Sequence, residues 1–256
     1  MPIYDVPVRL LTIKMLAALA PELDSVFTRP EALDWFRTNY PLIKAGTVTA
    51  HLTKFSTNAP SRIHYNQKAD DDVLFQLDRT RYRRYHPGTD PAPIQAQDDA
   101  TGSASLPADE EADDGESPTL GEFAYEADLK RFLVKNPTLV EPGLSIYENE
   151  GITGVEFPAG GRFIDILAVS KDAELVVIEL KVSKGYDRVV GQLLRYVAWI
   201  RANLADDGQR VRGIIIARDI SEDLVLATSV VPDVELIEYT LSVSLRRKGQ
   251  ENDRSN

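Results

Sequence analysis

Three ionisable residues stand inside an aliphatic stretch, FIDILAVSKDAELVVIELKVSKG at residues 163–185: Asp165, Glu179 and Lys181. Burying an unpaired charge is costly, so this setting calls for a compensating partner. Strand geometry says how the three could meet. Side chains alternate between faces, which puts Leu175, Val177, Glu179 and Lys181 on one side and Val176, Ile178, Leu180 and Val182 on the other. A turn around Lys171 and Asp172 that leaves three residues unpaired sets Ser170 against Glu174 and Asp165 opposite Glu179. A two-residue turn would slip the register and throw Asp165 to the far face. Carboxylates so placed raise each other's pKa unless something positive lies between them. Mg²⁺, with Mn²⁺ as a substitute, suits such hard oxygen ligands, taking one or two carboxylates plus waters and phosphate oxygens. A lysine alongside can hold an attacking water and offset charge developing on phosphorus. On spacing alone a salt bridge between Lys181 and Glu179, with Asp165 capping a turn, is the favoured reading, because Glu-x-Lys is common in strands.

The neighbouring blocks extend the pattern. EADLKRFLVKNPTLVEPGL, RFIDILAV, VVIELK, GQLLRYVAWI and VRGIIIA follow one another in that order. Together they resemble the PD-(D/E)xK nuclease superfamily and, more narrowly, the NucS/EndoMS endonuclease core, from about Gly121 to about Leu241. That resemblance implies a restriction-endonuclease-like α/β (α+β) core with a central mixed sheet. It also implies that Glu126, Asp165 and Glu179 assemble the metal site, that Lys181 serves the water and that Gln192 orients the site from the helix behind. Taken singly, Glu126 reads as a solvated helix residue beside Phe123, Leu129 and Phe132. Gln192, among Val189, Val190, Leu193 and Leu194, could simply satisfy a buried backbone group. The superfamily's proline is absent, since Ile164 precedes Asp165.

Composition bounds the alternatives. The 256 residues, 43% of them hydrophobic, suffice for one large or two modest domains. The absence of cysteine excludes disulfides and thiolate metal sites, and His51, His64 and His86 are too scattered for a zinc cluster. No apolar run approaches a membrane span and the N-terminus lacks a signal-peptide pattern, so the expectation is a soluble cytoplasmic protein. The net charge of −11 is unevenly spread. Residues 87–118 hold nine acids and no Lys or Arg, and read as an acidic disordered linker. Residues 1–86 hold twelve basic against nine acidic residues, a balance of +3, while residues 119–256 hold seventeen against twenty-two, a balance of −5.

The basic N-terminal portion reads as a winged helix-turn-helix domain over residues 1–86. VRLLTIKMLAAL is amphipathic, Thr28 and Glu31 form a capping box with Pro30 near the helix start, and KAGTVTAHLTKF forms a third helix. RIHY, VLFQL and YRRY then alternate as strands. Such a unit would lay its third helix in the major groove of double-stranded DNA. Thr47, Thr49, Ala50 and His51 would face base edges, and Lys44, Lys54, Arg62, Arg79, Arg81, Arg83 and Arg84 the phosphates, with Asn58 and Ser61 in a polar stretch suited to either. Residues 119–245 form the nuclease domain and 246–256 a flexible tail. The expected function is a Mg²⁺-dependent DNA endonuclease, restriction-like and homodimeric. Mismatch repair, or a non-cleaving DNA-binding regulator, are the alternatives.

Overall fold

The computed structural model describes residues 4–68, 70–95, 120–181 and 186–240, with side chains omitted at 120–125 and 186–187. The expected linker beyond residue 95 and the expected tail at 246–256 lie outside the described residues.

The N-terminal unit opens with α1 (Val8–Leu19), whose Leu11, Met15 and Leu16 recur at helical spacing on its buried face. β1 (Phe27–Thr28) leads directly into α2 (Arg29–Asn39), where the capping box is formed in full: the Thr28 hydroxyl accepts from the Glu31 N–H, and the Glu31 carboxylate accepts from Thr28. α3 (Ala45–Phe55) follows, then β2 (Leu74–Gln76) and β3 (Arg81–Arg84), which with β1 make an antiparallel sheet of order β1-β3-β2. RIHY, expected as a strand, instead closes a 3-10 helix, Pro60–His64, opened by Pro60. The unit also runs past residue 86. Asp90 accepts two bonds from the Arg83 guanidinium at 2.7 and 2.5 Å, and the Ile94 N–H donates to the Thr57 carbonyl. The first residues of the expected linker are therefore packed.

The C-terminal unit begins with α4 (Leu120–Lys135) and builds a six-stranded sheet. Short strands β4 (Ser145–Ile146), β5 (Glu148–Asn149) and β6 (Ile152–Thr153) precede the hairpin of β7 (Val155–Ala159) and β8 (Arg162–Val169). Then come β9 (Leu175–Lys181), α5 (Tyr186–Asn203), β10 (Val211–Ala217), α6 (Glu222–Ser229) and β11 (Val234–Glu238). The sheet order is β11-β10-β9-β8-β4, with β7 also on β8. Pairing is parallel from β9 to β11 and antiparallel at β8. β9 and β10 are mostly aliphatic, with Glu179, Lys181 and Arg212 as the charged exceptions, because both faces are covered. Leu175, Val177 and Ile215 pack beneath α5, and Val176, Ile178 and Ile214 beneath α4. Gly213 permits the α5 contact, since a Cβ there would lie 2.7 Å from Leu193 Cδ2.

The two units share a core. Ala50 of α3 and Tyr65 belong to the same buried cluster as Phe157, Leu193 and Ile200. Gly46 lets the start of α3 close on the end of α5, because a Cβ there would meet the Asn203 carbonyl oxygen at 3.0 Å. The Val8 N–H donates to Glu150 Oε2 at 2.8 Å, and the Asn66 N–H to the Gly151 carbonyl at 3.1 Å. This docking corrects the DNA-reading expectation for α3. Thr47, Thr49, His51, Lys54, Ser61 and Arg62 are all buried, occupied by packing rather than offered to a groove. His51 shows the physical reason. Burial pushes its pKa down to about 4, so it is neutral, and its Nδ1 pairs with the Thr47 carbonyl of its own helix at 2.9 Å. Arg62 is held by Asp72 at 2.5 Å, and Lys54 lies 3.5 Å from the buried Asp71.

Candidate active site

The loop joining β8 to β9 has the odd length that the two carboxylates require. The Ser170 N–H donates to the Glu174 carbonyl across a three-residue turn in which Ala173 takes φ 60°, and the ladder runs from Val169↔Leu175 to Ile166↔Ile178. One residue further, the same register sets Asp165 opposite Glu179. There the ladder ends, and the Leu180 N–H donates instead to Asp165 Oδ2 at 3.0 Å. On the other flank of β8, Glu156 takes φ 46° between the pairs Val155↔Ile166 and Phe157↔Ile164. β8 twists here: Ile166 lies in the core under α4, Ile164 in the core under α5.

Glu179 is 2% exposed. Its Oε1 accepts from Gln192 Nε2 at 2.6 Å and lies 3.9 Å from Lys181 Nζ. Its Oε2 is buried and has no hydrogen-bond partner among the described residues. Burial first, and the Asp165 charge second, push the Glu179 carboxyl well above the usual range, with Lys181 pulling the other way. Tyr196, one helical turn beyond Gln192, lies with its hydroxyl 3.5 Å from the same amide. Burial and then Glu179 push that hydroxyl up to about 12.

A second layer comes from α4. Lys130 Nζ sits 2.7 Å from Glu156 Oε1 and 3.7 Å from Asp165 Oδ1. Burial opposes the ammonium, but Asp165, Glu156 and Glu126 together leave its pKa raised. Burial also opposes the Glu156 carboxylate. His64, at 3.6 Å from the N-terminal unit, and Lys130 more than offset that and hold it at about 2. Glu126 acts on this centre through its field, which both Glu179 and Lys130 feel.

The donor set fits a divalent cation. Glu179 offers an orphaned, buried carboxylate oxygen, Asp165 offers a second carboxylate opposite it, and burial and their mutual repulsion are costs that a cation between them would offset. Among the described residues, no three His, Asp or Glu side chains converge tightly enough to hold an ion alone. A two-carboxylate site completed by waters and substrate oxygens is the arrangement Mg²⁺ accepts.

Of the residues the sequence singled out, Asp165, Glu179, Lys181 and Gln192 converge, and Glu126 lies within electrostatic reach. Lys130, Glu156, Tyr196 and His64 were missed. Lys130 follows Glu126 by four positions and so shares its helix face, a usable signal; His64 arrives through docking of the other unit, for which local sequence offers none. The remaining expected DNA contacts are mostly engaged within the fold. Asn58 bonds both backbone groups of Gln76, Arg83 stacks 4.7 Å over Phe75 and pairs with Asp90, and Arg84 donates to the Ala20 carbonyl at 2.6 Å. Arg81 stays exposed beside Asp78, and Lys44 is partly exposed, 3.9 Å from Asp206.

Acids on adjacent strands, a lysine two residues beyond the second and a glutamine from the following helix are arranged as in the PD-(D/E)xK pattern that the sequence resembles. Residues 125–240 match the family described as Endonuclease NucS C-terminal domain. Residues 7–84 match a separate family, Domain of unknown function (DUF7669). Endonuclease NucS of Methanopyrus kandleri is 29% identical over 47% of this chain and 42% of its own length, and that of Pyrococcus abyssi 34% identical over 38% and 35%. The chain thus spans less than half the length of these curated relatives. A crystal structure of a repair endonuclease from Pyrococcus abyssi aligns with 26% identity and a TM-score of 0.38, covering 50% of this chain and 49% of that one. No helix among the described residues is long and apolar enough to cross a membrane.

Proposed function

We propose that the chain is a metal-dependent DNA endonuclease that hydrolyses phosphodiester bonds at the centre formed by Asp165 and Glu179. The observation that carries this reading is the buried, unpartnered Oε2 of Glu179 in a carboxylate pair flanked by Lys181. Asp165 and Glu179 would hold Mg²⁺ or Mn²⁺, with Glu126 supporting it. When bound, the cation supplies Lewis acidity toward a phosphate oxygen. Gln192 fixes one oxygen of Glu179 and so turns the other toward the centre. Leu180 N–H and Lys130 fix Asp165 from opposite sides. Lys181 holds the attacking water and offsets charge on the pentacoordinate phosphorus as the water oxygen adds and the leaving oxygen departs with a proton. Cutting both strands calls for two such centres, so the reading includes a homodimer acting on duplex DNA.

The order of three helices and three strands in the N-terminal unit supports a winged-helix reading for it. Its third helix serves docking, however, so target choice on this reading does not run through α3. That withdraws the support groove reading gave to restriction, and leaves mismatch repair level with it as the target class. The test is cleavage of supercoiled, mismatched and single-stranded DNA with Mg²⁺ and Mn²⁺, with and without EDTA, beside Glu179→Gln. Metal-dependent cleavage that Glu179→Gln abolishes is expected. A folded protein that cuts none of these substrates would make the C-terminal unit a binding module and sink the hydrolytic reading.

A further inference from the structure

A cleft between the two units is lined by Arg29, Arg79, Thr80, Gly160, Gly161 and Arg162, with no acidic residue among its described lining. Arginines are normally drawn into carboxylate pairs in a chain this acidic, as Arg9, Arg83, Arg210 and Arg212 all are. These differ. Among the described residues the Arg29 guanidinium donates to the Arg79 carbonyl and, at 3.2 Å, to the Tyr82 hydroxyl, leaving its Nε buried with no hydrogen-bond partner. Arg162 forms no ion pair among the described residues. The floor is the turn Gly160–Gly161, at φ 63° and 87°, which has no side chain to fill the space; a Cβ on Gly161 would come within 3.8 Å of Arg29 Nη1. An orphaned guanidinium nitrogen, further arginines and bare backbone make a receptor for a tetrahedral anion, which Arg binds in planar, paired fashion.

The cleft's place in the fold identifies the anion. Arg162 and Asp165 are on one strand, three residues apart, or about 10 Å at about 3.3 Å per residue. α5 borders both places: a Cβ on Gly160 would lie 3.2 Å from its Trp199, and its Gln192 donates to Glu179, so the cleft and the carboxylates lie on the same, α5-bearing flank. A span of about 10 Å is more than one phosphate step of a strand, since each step rises about 3.4 Å along the axis and also winds around it. We propose that Arg29 and Arg162 form a phosphate subsite that grips the backbone of the substrate DNA a few nucleotides from the bond that is cut. It would be the contribution of the N-terminal unit to substrate holding, made by the tip of its sheet rather than by α3. This rests on the endonuclease reading for the identity of the ligand.

The test is the salt dependence of affinity for a fluorescein-labelled DNA duplex in EDTA, where nothing is cut, for the parent, Arg162→Gln and Thr80→Glu. Thr80→Glu sets a carboxylate in the cleft without touching an arginine, and melts confirm that each variant folds. Arg37→Gln, an exposed arginine elsewhere on α2, is the control. The slope of log K against log salt should shrink by about 0.9 for Arg162→Gln and by at least as much for Thr80→Glu, with no change for Arg37→Gln. A parent that cleaves DNA while both cleft variants keep its slope overturns the subsite alone. A parent whose slope responds as expected but that never cleaves leaves the subsite standing and overturns hydrolysis. Binding of inorganic phosphate that Arg162→Gln weakens, with the DNA slope unmoved, would make the cleft a small-anion site and overturn its role in DNA binding.

Discussion

At the scale of single residues, the centre is costly to the fold and useful only to what it binds. Glu179 is buried with one oxygen unsatisfied and with Asp165 opposing its charge. Its carboxyl is therefore held above the ordinary value near 4.5, and the folded chain binds that proton more tightly than the unfolded chain does. Metal-free stability should fall as pH rises from about the ordinary carboxylate value through the raised one. Glu179→Gln removes the charge while its carbonyl can still accept from Gln192. In EDTA at neutral pH it should melt above the parent, by on the order of 1 kcal/mol or a few degrees, and lose that advantage as the pH is lowered toward 4.5. A variant that melts below the parent at neutral pH would mean that the charge is structurally paired. Lys130 stands on the other side of the ledger. Lys130→Met leaves Glu156 and Asp165 without their shared cation, and should cost about 1–3 kcal/mol in a denaturant titration. Lys181→Ala should barely move stability yet end cleavage, because its contact to Glu179 is long, at 3.9 Å, and Lys181 is itself 28% exposed to solvent screening.

At the scale of elements, the register of the β8–β9 hairpin was legible in the sequence because it depends on alternation and turn length alone. The aliphatic runs, the odd turn and the two carboxylates admit only one pairing that brings the acids together. The helices of the N-terminal unit were equally legible, down to the capping box at Thr28. What α3 faces was not. Its sequence, AGTVTAHLTKF, mixes small and polar residues that suit either a groove or a close helix contact, and only the tertiary partner decides between them. Gly46 and Ala50 turned out to be the places where α5 and the shared core come close. The Thr hydroxyls are satisfied within the helix, Thr49 and Thr53 each bonding a carbonyl four residues back. Changing Thr47 and Thr49 together to Ala should accordingly leave DNA affinity within about twofold while shifting the melting temperature. A loss of affinity at unchanged stability would restore α3 as a reading helix. The strand expected at RIHY failed for a related reason, since Pro60 and the following polar residues favour a tight helical turn that period-2 counting over four residues cannot exclude.

At the scale of the whole molecule, the described units behave as one body whose cohesion does not depend on the chain between them. Ala50 and Tyr65 complete a core made mostly of C-terminal residues, and Glu150, Gly151 and Glu156 each receive a partner from the N-terminal unit. Residues 120–256 produced alone would uncover the side of Phe157 and Ile200 that this docking buries, and would strip His64 from Glu156. A truncated core should therefore not be the weak but folded nuclease that a flexible tether between independent domains would give. Residues 1–95 and 120–256 co-expressed as two separate chains should instead assemble and elute as one species. They should melt in a single transition only modestly below the parent, since reconnecting them supplies effective concentration rather than contacts. Cleavage by the reconstituted pair, and its absence from the core alone, would place the N-terminal unit among the parts that make the centre competent. Two chains that fold and melt independently, with full activity in the second, would show that the shared core contributes nothing to the site it adjoins.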